Sequence, residues 1–201
     1  MTRDPVADLG SAGLPLPGGP GADGSAGESA AGGPAAGRPH MPGYGMLAAG
    51  AGTGLLPWAW AVERLASSHD YWLSTISADG APHLMPVWAI WLDGAPWFSC
   101  SNGSRKTRNL RADGRCSLAT DNAAQPVVVQ GLAEPVSEPS EIQRLIDGEN
   151  AKYGTDYSME LLGPAVSTWF GVRPVRVFGL DTADFAGSPT RWIFTERDPL
   201  S

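Results

Sequence analysis

The sequence predicts a small, mainly β protein: an antiparallel β-barrel with a few α-helices. Three observations predict it. Two Asp-Gly pairs, Asp79-Gly80 and Asp93-Gly94, each separate stretches in which apolar residues alternate with period two. Glycine at such a turn accepts the positive φ that a tight hairpin requires. Six or seven strand-like stretches follow Tyr71, joined mostly by hairpins, while helical spacing is confined to a few short segments. Strands connected in this way bury a common core by closing on themselves.

The elements follow in order. Residues 1–40 are Gly, Ala and Pro with scattered Ser and Asp, without an aromatic residue or a periodic pattern. Such a segment buries too little apolar surface to offset its ordering entropy and is expected to be a disordered tail. Residues 41–57 hold more anchors (Met41, Tyr44, Met46, Leu55, Leu56) and are expected to form an extended arm or lid. All eight tryptophans follow residue 57, so the barrel domain is assigned to residues 58–197. Pro57 to Ser68 reads as a helix: proline suits its first turn, and Trp58, Ala61, Val62 and Leu65 share a face. Tyr71–Ser77, Pro82–Leu92 and Pro96–Ser101 read as three strands separated by the two Asp-Gly turns. A short basic helix ends at Ala112-Asp113-Gly114. Arg115–Thr120 and Pro126–Val136 are the next strands, and Val127-Val128-Val129 fits a buried one. Glu138–Tyr153 reads as a helix with Ile142, Leu145 and Ile146 on one side. Val166–Leu180 holds one or two strands, and Arg191–Phe194 a short last one.

Bulk properties exclude several functions. The chain has 201 residues, room for one ordinary domain and a tail. A formal net charge of −7 and a pI near 4.8 speak against a nucleic-acid or anionic-membrane binder, which needs a broad positive face. The two cysteines, Cys100 and Cys116, form no disulfide framework and read as small buried thiols. No signal-peptide pattern opens the chain, and no apolar run reaches the roughly 20 residues of a membrane span. A cytoplasmic location is expected. Paired-cysteine zinc spacing, His-Glu-x-x-His, Gly-x-Ser-x-Gly and nucleotide-binding glycine loops in a strand–loop–helix setting are all missing, and the three histidines (His40, His69, His83) are scattered. No metal site is expected. A chain this poor in acid–base groups points, if it is an enzyme, to a cofactor as the source of reactivity.

Charge is concentrated at one place. Five of the fourteen basic residues lie between Arg105 and Arg115. The run Ser104-Arg105-Lys106-Thr107-Arg108-Asn109-Leu110 follows the apolar stretch Trp97-Phe98-Ser99-Cys100. A strand that runs into a Ser-led, basic helix N-terminus is suited to hold a phosphate, because the first helical N–H groups are unpaired and the helix dipole favours an anion. The plain alternative is a solvated helix end.

These residues carry a family resemblance. Tyr71-Trp72-Leu73-Ser74-Thr75 with Asp79-Gly80 and Pro82-His83, then Pro86-Val87-Trp88, then Ser104-x-Lys106-x-Arg108-Asn109-Leu110 and Asp113-x-Arg115, resemble the pyridoxamine 5'-phosphate oxidase-like split β-barrel superfamily, and within it the flavin/deazaflavin oxidoreductases, many of which use coenzyme F420. The resemblance runs from about Trp58 to Phe194. It implies an FMN-binding-like split barrel and a homodimer with two cofactor sites at the dimer interface. It further implies that one protomer lends His83, Met85, Pro86, Val87 and Trp88 from strand two, Ser99 and Cys100 from strand three, and Ser104, Lys106, Arg108 and Asn109 around the phosphate. The partner protomer would lend Gln130 and Trp192.

The implied cofactor is F420, with FMN as the alternative, since both carry a phosphate near the ring. The implied reaction moves a hydride to a polarised double bond of a small organic substrate. FMN-dependent oxidation, pyridoxamine-phosphate oxidation (with Arg173, Arg176 or Arg191 as phosphate ligands), and a non-catalytic flavin, haem or tetrapyrrole carrier stand as alternatives. His83 reads equally as a packed polar residue, and Trp192 as a packing or dimer residue. Trp88 and Trp91, an odd number of positions apart, are expected on opposite faces of one strand, one in the core and the other at the interface or the ring.

Overall fold

The chain closes its sheet around one long strand. The structure, a computed structural model, describes residues 33–194. In chain order its strands are β1 (Ala35–Gly37), β2 (Tyr71–Ile76), β3 (Pro82–Val87), β4 (Ile90–Leu92), β5 (Ala95–Ser101), β6 (Arg115–Thr120), β7 (Val127–Pro135), β8 (Ser167–Gly179) and β9 (Thr190–Ile193). The helices are α1 (Trp58–Ser67), α2 (Arg105–Ala112), α3 (Pro139–Tyr153) and α4 (Met159–Leu162). At thirteen residues, β8 is long enough to serve two neighbours on one edge. Its Ser167–Gly171 half pairs with β5 and its Arg176–Gly179 half with β9, while β7 runs along the opposite edge. From β7 the sheet continues through β6 and β2 to β3, every pairing antiparallel. β4 pairs with β5, and only Trp88-Ala89 separates it from β3, so the ring closes covalently there. β3 and β5 do not pair, which leaves the barrel split between them.

Alternation sorts the side chains into a core. Leu73, Phe98, Leu118, Val129, Val172 and Val177 fill the barrel, all fully buried. A second cluster lies under α3, where Ile142, Leu145 and Ile146 meet Ile90, Trp97 and Trp169. Each such side chain contributes roughly 1.5–3 kcal/mol of burial. One approach is tight enough to demand glycine: Gly171 lies opposite Trp97, and a Cβ there would come within 2.4 Å of the indole ring.

The predicted architecture and most elements are present, with two corrections. Residues 35–37 were expected in the disordered tail, yet they form β1 on the edge of β9. Ala-Ala-Gly carries no side-chain signal, because backbone pairing makes the strand. The next residue locks it: the Arg38 guanidinium donates to the carbonyls of Pro189 (2.8 Å), Ala48 (3.1 Å) and Ala51 (3.3 Å). The arm that follows packs on residues 184–190 of its own chain, through Leu47 N–H to Ala186 and Thr53 to the Asp184 carboxylate. Residues 1–32 of the predicted tail and 195–197 of the predicted domain lie outside the described residues.

The second correction concerns the strand expected over Pro82–Leu92. It breaks at Trp88-Ala89 because α3 captures the backbone there. Ala89 N–H donates to the Tyr153 hydroxyl (2.9 Å), and the Lys152 amine donates to the Ala89 carbonyl (2.8 Å). Trp88 therefore leaves the strand and stacks on Tyr153, ring centroids 4.4 Å apart, so it and Trp91 do not share one strand.

One buried acid makes stability pH-dependent. Glu149 lies on the packed face of α3, 4% exposed, and burial pushes its carboxyl up to about 7. The folded state keeps this proton after the unfolded chain has lost its own, so stability falls as pH rises from about 4.5 to about 7. Glu149→Gln removes the cost. Thermal unfolding is expected to show a higher Tm than wild type at pH 8 and a difference near zero at pH 4.5.

Candidate functional site

The helix α2 starts where β5 ends, and buried polar side chains hold it there. Ser104 is its N-cap: the Thr107 N–H donates to the Ser104 hydroxyl oxygen (3.2 Å), and the Thr107 hydroxyl donates to the Ser101 carbonyl (2.8 Å). Thr107, Asn109 and Leu110 form the buried face. The Asn109 amide donates to the Thr75 hydroxyl on β2 (2.9 Å), and Arg105 donates to the Ser77 hydroxyl (3.0 Å). The helix is thereby fixed to the β2–β3 hairpin at two points.

Its charge opposes its own dipole. The first turn holds Arg105 and Lys106 and no acid. Cations at a helix N-terminus are unfavourable by roughly 0.3–1 kcal/mol each, the reverse of the usual acidic preference. Most of the basic cluster is engaged: Arg105 with Ser77, Arg108 with the Gly103 carbonyl (2.7 Å), Arg111 with the Thr168 hydroxyl (2.9 Å) and Arg115 with Asp113 (2.6 Å). Hydrogen bonds from Arg115 hold the Asp113 carboxyl down at about 2. Among the described residues, Lys106 makes no hydrogen bond and no ion pair.

Lys106 faces the split. On β3, His83, Met85 and Val87 lie opposite Thr75, Leu73 and Tyr71, which are buried, so all six point to the inner side. Val87 is in the core, but Met85 is 43% exposed. The inner side of β3 is therefore closed at Val87 and open at His83 and Met85. The split between β3 and β5 lies at this open side, and α2 begins where β5 ends. Lys106 lies near enough to His83 and Cys100 for its charge to act on both.

The structure divides the residues singled out from the sequence. His83 and Met85 stand on the open inner side of β3 with Lys106 near His83, Cys100 is buried in the core nearby, and Ser104 and Asn109 cap and anchor α2. The others are elsewhere in the same chain. Val87 is core; Pro86 pairs with Trp72 on the outer face; Trp88 lies against α3. Ser99 alternates away from Cys100 toward Trp169. Arg108 lines a recess of about 420 Å³ with Ser77, Asp79, Arg105, Asn109 and Ala112. Gln130 is exposed on the outer face of β7. Trp192 is completely buried, edge-on to Trp58 at 5.5 Å, so it is a core residue and no wall for a ligand on another chain. Arg176 pairs across to Gln130, and Arg173 meets Glu134 (3.6 Å), so they do not gather with Lys106 into a second phosphate grip. Thr75 and Thr107 were missed. The first was accessible from register, as an inward polar residue opposite His83. The second shows itself only once α2 is docked.

The comparisons with known proteins agree with the fold. The model of the pyridoxamine 5'-phosphate oxidase family matches residues 60–183. The chain belongs to that family. No curated protein is similar enough in sequence to count as a match. Among solved structures, a conserved hypothetical protein, Rv2991, from Mycobacterium tuberculosis is 25% identical with a TM-score of 0.59, over 64% of this chain and 87% of that one. A nimc/nima family protein from Clostridium acetobutylicum shares the fold at 11% identity and a TM-score of 0.54, over 67% and 91%. A putative pyridoxamine 5'-phosphate oxidase from Listeria innocua does so at 12% and 0.50, over 62% and 95%. Among the described residues no group of His, Cys, Asp or Glu could hold a metal ion, and no helix is long and apolar enough to cross a membrane.

Cys100 is not poised for chemistry. Burial pushes its thiol up to about 11 against the opposing pull of Lys106, and burial pushes Cys116 up to about 12. The thiolate is the reactive form. Iodoacetamide at pH 7.5 is expected to leave both cysteines intact in the folded protein and to alkylate both in denaturant, as read by intact mass.

Proposed function

We propose that this protein is an oxidoreductase of the flavin/deazaflavin branch of its family, binding coenzyme F420 with its phosphate on Lys106. The observation that carries the reading is the Lys106 ammonium, without a hydrogen bond or ion pair among the described residues, at a helix N-terminus whose first turn holds two cations and no acid. A phosphate there relieves the repulsion among the first-turn cations, accepts the free helical N–H groups and gains a charge-assisted bond to Lys106. FMN carries the same phosphate, and the preference for F420 rests on the motif resemblance at Ser104–Leu110. When bound, such a cofactor supplies a hydride to a polarised double bond. The chain's own share is to hold the phosphate at Lys106, to set the ring against the inner side of β3 at His83 and Met85, and to exclude water through the apolar barrel wall behind it.

We further propose that the protein is a homodimer. Trp72 (46% exposed) and Leu84 (56% exposed) stand with Pro86 on the outer face of β2 and β3, an apolar area that a symmetric partner would cover. Sedimentation is expected to give a dimer for wild type and a monomer for Leu84→Lys; a monomeric wild type would remove the dimer from the proposal.

The cofactor is tested by calorimetry with F420 and FMN offered separately. Lys106→Ala is expected to weaken binding by about 1.5–3 kcal/mol, roughly ten- to a hundredfold. Unchanged binding overturns the phosphate assignment, FMN binding without F420 binding overturns the choice of cofactor, and binding of neither overturns the oxidoreductase reading.

A further inference from the structure

His83 stands on the open inner side of β3, with a buried hydroxyl within reach of one ring nitrogen. Thr75 and His83 are direct partners across the β2–β3 hairpin. The Thr75 hydroxyl is buried, 1% exposed, and receives the Asn109 amide N–H at 2.9 Å. The hydroxyl keeps one proton to give and a second lone pair, and both groups within reach belong to His83: Nδ1 at 3.4 Å and the carbonyl oxygen at 3.4 Å. An Nδ1 that accepts this proton places the ring's own N–H on Nε2.

The charges around the ring act in one direction. Arg105 and Lys106 face it from α2, and desolvation together with these two cations lowers its pKa below the ordinary histidine value. The nearest acid on the same hairpin, Asp79, accepts the Ala81 N–H at 3.2 Å. An imidazolium beside two cations is disfavoured; a neutral ring with one directed N–H is not.

We propose that the Asn109–Thr75 relay holds His83 as the neutral Nε2–H tautomer, and that this N–H is a specificity-determining donor to a conjugated carbonyl oxygen bound in the cleft. Two sources share that chemistry, the ring carbonyls of a flavin-type cofactor and the carbonyl of an enone or quinone substrate. The relay stands without the cofactor reading; only the identity of the acceptor rests on it. A donor beside Lys106 divides the labour at the mouth: the ammonium takes the phosphate, and the imidazole N–H takes a neutral or delocalised oxygen that a second cation would not distinguish from phosphate.

The test uses the full chain with ¹⁵N-labelled histidine, the His83 ring signals being assigned by their loss in His83→Gln. In the free protein at pH 7 the signals are expected to be those of the neutral Nε2–H form, and Thr75→Val is expected to move them toward a tautomer mixture. A neutral Nδ1–H form or an imidazolium in wild type overturns the relay, whether or not the variant folds. F420, FMN and then menadione are added in turn. A shift of the Nε2–H signal on cofactor addition assigns the acceptor to the cofactor, and a shift only with menadione assigns it to the substrate. No shift with any of them overturns the donor role. His83→Ala is expected to weaken binding of the assigned ligand roughly three- to tenfold, with His83→Gln, which keeps an N–H donor, restoring most of it. Failure of both cofactors to bind would sink the proposed function while the free-protein tautomer still decides the relay.

Discussion

The site depends on a basic helix N-terminus being held against the split in the barrel. Left to itself, α2 is a poor helix: eight residues, first-turn cations facing the wrong end of the dipole, and almost no apolar character beyond Leu110. Tertiary contacts hold it in place. Thr107 ties it to the end of β5, Asn109 to Thr75 inside the barrel, and Arg105 to Ser77 at the hairpin. Because these anchors are side chains on a rigid sheet, Lys106 has a fixed address although among the described residues it makes no hydrogen bond or ion pair of its own. A local rule is broken, the cations stay at the wrong pole, and the surrounding structure sustains it. Such conflicts gather where a ligand later supplies the missing charge.

The barrel provides the other half of the arrangement by failing to close. A strand of thirteen residues, β8, lets β5 and β9 share one edge, and the ring then returns to β2 through a strand pair broken at Trp88-Ala89. The break is held open from α3. Tyr153 and Lys152 bind the backbone of Ala89, which cannot then pair with a neighbouring strand. The same helix packs Ile142, Leu145 and Ile146 on the β4–β5 hairpin, so the position of the split is set by core packing. The inner side of β3 is left open at His83 and Met85, opposite the buried Thr75 and Leu73.

Charge and burial divide the roles of the cleft residues. Burial outweighs Lys106 at Cys100, so the thiol stays protonated and serves as packing. At His83 desolvation and then the cations of α2, Arg105 and Lys106, lower the pKa below the ordinary histidine value. Arg115 is consumed by Asp113 and Arg111 by Thr168. Of the five basic residues only Arg115 is ion-paired, and Lys106 alone makes neither a hydrogen bond nor an ion pair among the described residues.

The sequence by itself determined the barrel, the hairpins at Asp79-Gly80 and Asp93-Gly94, the helical faces of α1 and α3, and the basic α2 with Ser104 as its cap, because each is written in local periodicity or turn chemistry. It placed His83, Cys100 and Lys106 near one another through strand order and resemblance. It did not show β1, whose three residues pair through backbone alone, nor the break at Ala89, which is made by side chains sixty residues away. It left open whether Trp192 packs or lines a site, and it put Trp88 on one strand with Trp91. A tryptophan reads alike in sequence whether it is core, surface or binding wall, and only packing against Trp58 or Tyr153 distinguishes these. Tertiary structure alone decided which cation stays free and how the His83 ring is polarised, since both depend on partners from other strands, at distances that no spacing along the chain encodes.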